Sequence, residues 1–227
     1  MKRYFISIVF CITTFLSFGQ TNPEKELGSW YMLFGTHQVS GKLSINTGIQ
    51  LRNYEVVSNY NLNLLYTGIN YKIDSNILFT FNYGYLDIDK SIEFTNIKNT
   101  IEHRFWEQLS FKHKLSKIPI NHRFRFEHRF LHDLTDNSIQ NRIRYRLGTH
   151  IDLNQTFFIV ANKEFFLNIK GETFRENRLY FGLGIKLNKQ FKLQLGYLNQ
   201  HINNLNLNRL QFGLYIKTDL RKRNNSN

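Results

Sequence analysis

From Lys42 to Arg52 the chain alternates. Leu43, Ile45, Thr47, Ile49 and Leu51 fall on one parity, and Lys42, Ser44, Asn46, Gly48, Gln50 and Arg52 on the other. The same period returns where Ile120, His122, Phe124, Phe126, His128 and Phe130 interleave with Asn121, Arg123, Arg125, Glu127 and Arg129. It returns again over 139–153, with Gln140, Arg142, Arg144, Arg146, Gly148 and His150 on the polar parity. Successive side chains of a strand point to opposite faces, so this is two-sided β-structure; a helix would smear both sets around its axis. The pattern predicts strands near 27–38, 41–54, 62–73, 77–88, 99–115, 119–131, 138–153, 156–168, 176–188, 191–202 and 208–220. Most are far longer than the roughly 5–6 residues usual in soluble sandwiches. They meet the roughly 9–11 that a tilted strand needs to cross a bilayer.

The connections alternate as well. Those at 74–76, 116–118, 154–155 and 188–190 are tight, whereas those near 55–61, 89–98, 132–137, 169–175 and 203–207 are longer and polar. Short turns at one end and long loops at the other, with aromatic residues near strand ends, are the plan of an outer-membrane barrel whose short end faces the periplasm. The predicted fold is therefore all-β, a transmembrane antiparallel up-and-down β-barrel of ten to twelve strands. Eleven segments conflict with the even count of bacterial single-chain barrels. Two solutions arise: ten strands over 41–220 with 27–38 plugging or lining the lumen, which is favoured, or twelve with one strand overlooked.

Charge and cysteine sharpen this picture. Lys2 and Arg3, the apolar run Tyr4–Phe18, and the small residues Ser17 and Gly19 have the three-part layout of a secretory leader over residues 1–19, which leaves 20–227 as one domain. Cys11, the only cysteine, falls inside that leader with no small-residue lipobox before it, so the mature chain is expected to lack disulfides, thiol chemistry and a lipid anchor. The formal charge of +13 becomes +11 once Lys2 and Arg3 are gone. A basic balance often signals nucleic acid, but export from the cell makes outer-membrane lipid or small anionic solutes the expected partners instead.

Several short motifs resemble a known family. They are Gly28–Ser29–Trp30, Leu51–Arg52–Asn53–Tyr54, Glu102–His103–Arg104 and the run His122–Arg123–Phe124–Arg125–Phe126–Glu127. Arg142–Ile143–Arg144–Tyr145, Asn177–Arg178–Leu179–Tyr180 and Gly196–Tyr197 add to them. Over nearly all of the mature chain, the sequence resembles the domain-of-unknown-function family 2490, common in Bacteroidetes-type bacteria. The resemblance implies a barrel in the outer membrane of a Gram-negative cell and no established activity.

The candidate chemistry lies on the polar parity. Pairing the hairpins about the centres of their connections sets Glu127 beside Arg144, Arg144 beside Glu164 and Glu164 beside Arg178. One register of the preceding hairpin adds Arg104 beside Glu127. The predicted feature is an alternating row across the lumen: Arg104, Glu127, Arg144, Glu164, Arg178. Charges inside a narrow barrel lose bulk water and have to pair, and arginine binds a carboxylate with two parallel bonds. Two outcomes stay open. The row is a packed polar core, or a basic surplus of Arg123, Arg125, Arg129, Arg142 and Arg146 leaves a positive lumen that selects small anions.

The remaining polar residues offer less. His103, His113, His122 and His128 share the outward parity with Phe and Leu. His103 and Glu107 stand roughly 13 Å apart on a strand, too far to share an ion. Glu107 and Lys163 fall mid-strand on the outward parity, where a bulge that swaps faces or a subunit contact would account for them. Ser110 and His113 point to opposite faces, and other pairings, such as Ser138 with His132 or His128, involve loop residues. No enzyme, metal or cofactor is expected. A narrow pore for small anionic solutes and a closed structural or interaction barrel that works through its loops are the two main functional classes, with an outer-membrane lipid-modifying enzyme behind them.

Overall fold

The computed structural model describes residues 25–91, 99–133, 137–170, 174–202 and 204–221. The expected leader over 1–19 lies outside them. Eleven strands follow one another: β1 (Leu27–Gln38), β2 (Leu43–Asn53), β3 (Tyr60–Lys72), β4 (Ile77–Ile88), β5 (Thr100–Leu115), β6 (Ile118–His132), β7 (Asn137–Asp152), β8 (Phe157–Asn168), β9 (Phe174–Lys186), β10 (Phe191–Ile202) and β11 (Leu205–Asp219). Consecutive strands pair antiparallel and the sheet closes on itself, as the all-β barrel expectation of ten to twelve strands requires.

The closure corrects the strand count. β1 neither plugs nor lines the lumen. It is a stave, pairing antiparallel with β2 and parallel with β11 from Leu27–Asn208 to Gln38–Asp219. A purely antiparallel cylinder needs an even number of strands. One parallel seam, with its slanted but complete hydrogen bonds, lets eleven close. The odd count also places the start of β1 and the end of β11 on opposite rims.

Local chemistry explains the tight rim. Asp74 Oδ1 accepts from the backbone N–H groups of Asn76 (2.6 Å) and Ile77 (2.8 Å). Asn154 does the same for Thr156 and Phe157, and Asn188 for Gln190 and Phe191. The Ser40 hydroxyl serves Lys42 and Leu43. Such side-chain caps replace backbone pairing within a turn, so four short turns share one device. At the other rim, one expected long loop is absent. β10 and β11 pair out to Ile202–Leu205, and Asn204 takes a positive φ of 67° there.

Alternation sorts the two faces. Outward side chains such as Ile69, Phe124, Phe181, Leu183 and Leu195 are exposed and apolar. Inward ones mix charges with Trp30, Leu64, Leu86, Trp106, Phe158, Phe166, Tyr180 and Leu198, all buried. Inward glycines make room for the rings. A Cβ on Gly184 would strike the Phe158 ring, and one on Gly182 or Gly196 the Tyr180 ring. No face-swapping bulge occurs at Glu107 or Lys163, because register runs unbroken through both. Glu107 faces outward with its Oε2 3.5 Å from His128 Nε2, and Lys163 donates to Asn177 at 2.8 Å.

The parallel seam is directly testable. Leu33 and Leu214 are outward register partners, and neighbouring strands lie about 4.8 Å apart, within reach of a disulfide. We expect Leu33→Cys with Leu214→Cys to cross-link on oxidation, shifting the boiled protein on a non-reducing gel. A combination of Leu33→Cys with Leu183→Cys should not. If the seam pair fails to link, β1 is not a stave.

Candidate functional site, the charged barrel interior

The inward parity of β5 to β9 carries three groups of ion pairs among the described residues. Glu102, on β5, accepts from Arg104 at 2.5 Å and from both nitrogens of the Arg129 fork at 2.9 and 2.8 Å. Glu127, on β6, accepts from Arg142 (2.6 Å) on one oxygen and from Arg144 (2.6 Å) on the other. Glu164, on β8, accepts from Arg123 (2.5 Å) and from Arg144 (2.9 Å). Glu176, on β9, holds Arg178 at 2.5 Å and accepts from Gln200 at 2.6 Å. Arg144 is the hinge of the set, one guanidinium gripping two glutamates. Glu102 and Glu127 have no solvent-accessible surface at all.

The five residues of the expected row face inward, but three hairpins sit two residues away from the predicted register. Glu127 lies opposite Arg142, Arg146 opposite Glu164, and Arg104 opposite Arg129. Glu164 and Arg178 are opposed as read from the sequence. The slip does not separate Arg144 from its carboxylates, because an arginine side chain is long enough to reach diagonally across a strand. Arg104 and Arg178, however, bind the glutamates two residues before them on their own strands. Arg123, Arg129 and Arg142, assigned to the surplus, each hold a glutamate. Arg125 donates to Gln108 at 3.0 and 2.7 Å and stands 3.5 Å from Glu127. Arg146 makes no direct ion pair among the described residues.

The glutamates are outnumbered, and ring faces take up part of the difference. Phe166, fully buried, has the guanidinium carbons of Arg144, Arg178 and Arg142 at 4.4, 4.5 and 5.1 Å from its centroid. Trp30 is covered by Arg52 at 3.7 Å and Arg178 at 4.9 Å, and Trp106 lies 5.1 Å from Arg125. An aromatic face attracts a cation most strongly when both are dehydrated. Sequence reasoning passed over Arg52, Arg209 and these rings, since apolar residues were assigned outward. A signal for inward rings was available in the glycines: Gly84 leaves room for Trp106, and those at 182, 184 and 196 leave room for Tyr180 and Phe158.

The outward polar residues form small separate pairs. His103 bonds Tyr83 (2.7 Å), His122 bonds Tyr145 (2.9 Å), His128 bonds Asn141 (3.1 Å) and His132 bonds Asn137 (2.9 Å). His103 and Glu107 have different partners and do not meet. Ser110 lies inside beside Gln108, across the wall from His113.

Residues 27–211, from the first residue of β1 into β11, match the family model described as "Protein of unknown function (DUF2490)". No curated protein matches the chain.

Removing one partner of a buried ion pair leaves the other charge uncompensated, at a cost of about 3–5 kcal/mol. We expect Glu127→Gln to lower the unfolding free energy of the refolded barrel by that amount in a urea titration followed by tryptophan fluorescence. Arg144→Lys, which keeps the charge but not the two-sided grip, should cost less. An unchanged midpoint for Glu127→Gln would mean that this network does not hold the interior together.

Proposed function

Because the chain belongs to the DUF2490 family of unknown function, we propose from its own residues that it is an outer-membrane barrel closed at the waist, acting through its rims and outer wall and not as a pore. The carrying observation is Arg144 locked between Glu127 and Glu164, at 2.6 and 2.9 Å, with all three side chains at most 8% exposed. Inward neighbours on the remaining strands, among them Leu64, Leu86, Tyr180 and Leu198, are buried as well. A conducting path would need water beside some of these charges, and a fully paired, desolvated set resists the hydration that ions require.

Membrane placement rests on the outer wall and the leader. An exposed apolar surface that encircles the barrel far exceeds the patches soluble proteins display and suits hydrocarbon. Residues 1–19 supply the export signal. The outer membrane of a Gram-negative cell is the compartment in which such a barrel is assembled, with lipid as its surrounding partner. We assign it no catalytic role; among the described residues each buried glutamate is held by arginine.

One observation favours a second reading. Arg52, Arg146 and Arg209 carry inward charge without a direct glutamate partner among the described residues, which would suit a narrow anion-selective path. Single-channel recording of the refolded barrel in a planar bilayer, under a salt gradient, decides between the two. The closed reading predicts silence from protein whose fold is verified by heat-modifiable gel mobility. Steady anion-selective openings altered by Arg146→Glu would replace it with the pore.

A further inference from the structure

Inward cations change identity with depth. At the waist they are arginines. At the short-turn rim the strand-borne cations Lys72, Lys112, Lys114, Lys186, Lys192 and Lys217 all lie on the inward parity. Outward neighbours at the same level are apolar or aromatic: Leu43, Tyr71, Phe111, Ile185, Leu193 and Ile216. The ring therefore surrounds the mouth and turns away from the headgroups that would border the wall.

Two features of the ring are unfavourable as they stand. Lys186 and Lys192 are direct cross-strand partners. Lys42 and Lys72 continue the β2–β3 register and share a backbone hydrogen bond of 2.8 Å. Like charges placed directly opposite each other destabilise a sheet. Asp152 relieves Lys186 at 2.8 Å, and Asp219 is bound to Arg221. Among the described residues no carboxylate pairs with Lys42, Lys72, Lys112, Lys192 or Lys217. Beside them a cavity of about 530 Å³ opens at the mouth; its lining includes Lys72, Lys189, Lys217 and Arg221 together with neutral residues and one carboxylate, Asp219, which Arg221 binds.

We propose that this mouth binds a soluble, multiply charged anion of the phosphate class. Lysine presents three rotatable donors on a flexible stem, which adapt to a tetrahedral set of oxygens, whereas the arginine forks deeper inside match flat carboxylates. Cations converging from both sides of the mouth call for one compact ligand carrying several charges. Binding would relieve both lysine pairs, so the ligand should stabilise the barrel as well as occupy it. The assignment holds whether or not the waist conducts, because the mouth is open to solvent in either case.

The test uses the full mature chain refolded in zwitterionic detergent, with inorganic triphosphate as the probe. Calorimetric binding that weakens with salt, and a melting temperature that rises with triphosphate, are expected. Lys72→Ala combined with Lys192→Ala should raise Kd at least tenfold, while Lys90→Ala at the opposite rim leaves it unchanged. Each double-variant barrel is checked for heat-modifiable mobility. Alanine at Lys42 with Lys186 serves as a second pair, so that one misfolded variant does not decide the matter. Absence of binding, or binding indifferent to both pairs, overturns the proposal. Displacement of triphosphate by phosphatidylglycerol vesicles would reassign the site to lipid, and tighter binding of an oligoglutamate peptide would reassign it to an acidic protein segment. Either result overturns the soluble-phosphate assignment.

Discussion

A carboxylate sealed inside a protein wall has to be met by a cation, and in this barrel that demand organises the interior. Transfer of a lone charge from water into a low-dielectric space costs several kcal/mol or more. Each buried glutamate is accordingly held by arginine, and Arg144 joins two of them across neighbouring strands. Arg144 ties β7 to β6 and β8 at once, and Arg142 and Arg123 add further pairs to the same two glutamates. The same pairs that fill the lumen therefore also cross-link neighbouring strands, whose register the alternating apolar face alone would leave free to shift in even steps.

Excess positive charge then determines where the rings go. Four inward glutamates do not neutralise the arginines, and Phe166, Trp30 and Trp106 offer their faces to guanidiniums at 3.7–5.1 Å. Large rings inside a narrow cylinder need space: Gly84 leaves room for Trp106, and the glycines at 182, 184 and 196 leave room for Tyr180 and Phe158. At Trp106 the three meet, with Arg125 over the ring at 5.1 Å and Gly84 beneath it.

Much of this is legible in the amino-acid sequence. Period-two alternation over Leu43–Arg52 and Ile120–Phe130 identifies strands because it reports a face, and burial enforces faces strictly. Register was less legible. The hairpin joining β6 to β7 closes two residues from the symmetric guess, since a loop's midpoint does not say how its residues are shared between strands. Parity survives a two-residue slip, so the interior residues were identified while their opposite numbers were not. The place of β1 was misread for a different reason: a rule of even counts holds for antiparallel closure, and one parallel pairing escapes it. Phe158 and Phe166 were hidden because hydrophobicity alone does not tell an outward ring from an inward one, such as Phe166 under its arginines or Phe158 stacked on His150.

The parallel seam has a consequence for the order of assembly. Every other pairing joins strands adjacent in sequence, and can form as soon as a hairpin folds back. β1 and β11 are joined by contacts such as His37 Nδ1 to Thr218 Oγ1, 2.8 Å apart in space and 181 residues apart along the chain. Long-range contacts bear the largest loop-closure entropy and form late. The curved ten-hairpin sheet is thus a natural precursor, carrying two unsatisfied edges until β1 and β11 meet. His37 also reaches Thr47 on β2 at 3.3 Å, so the final stitch ties three strands together, and closure of the cylinder becomes a single late event at a known address.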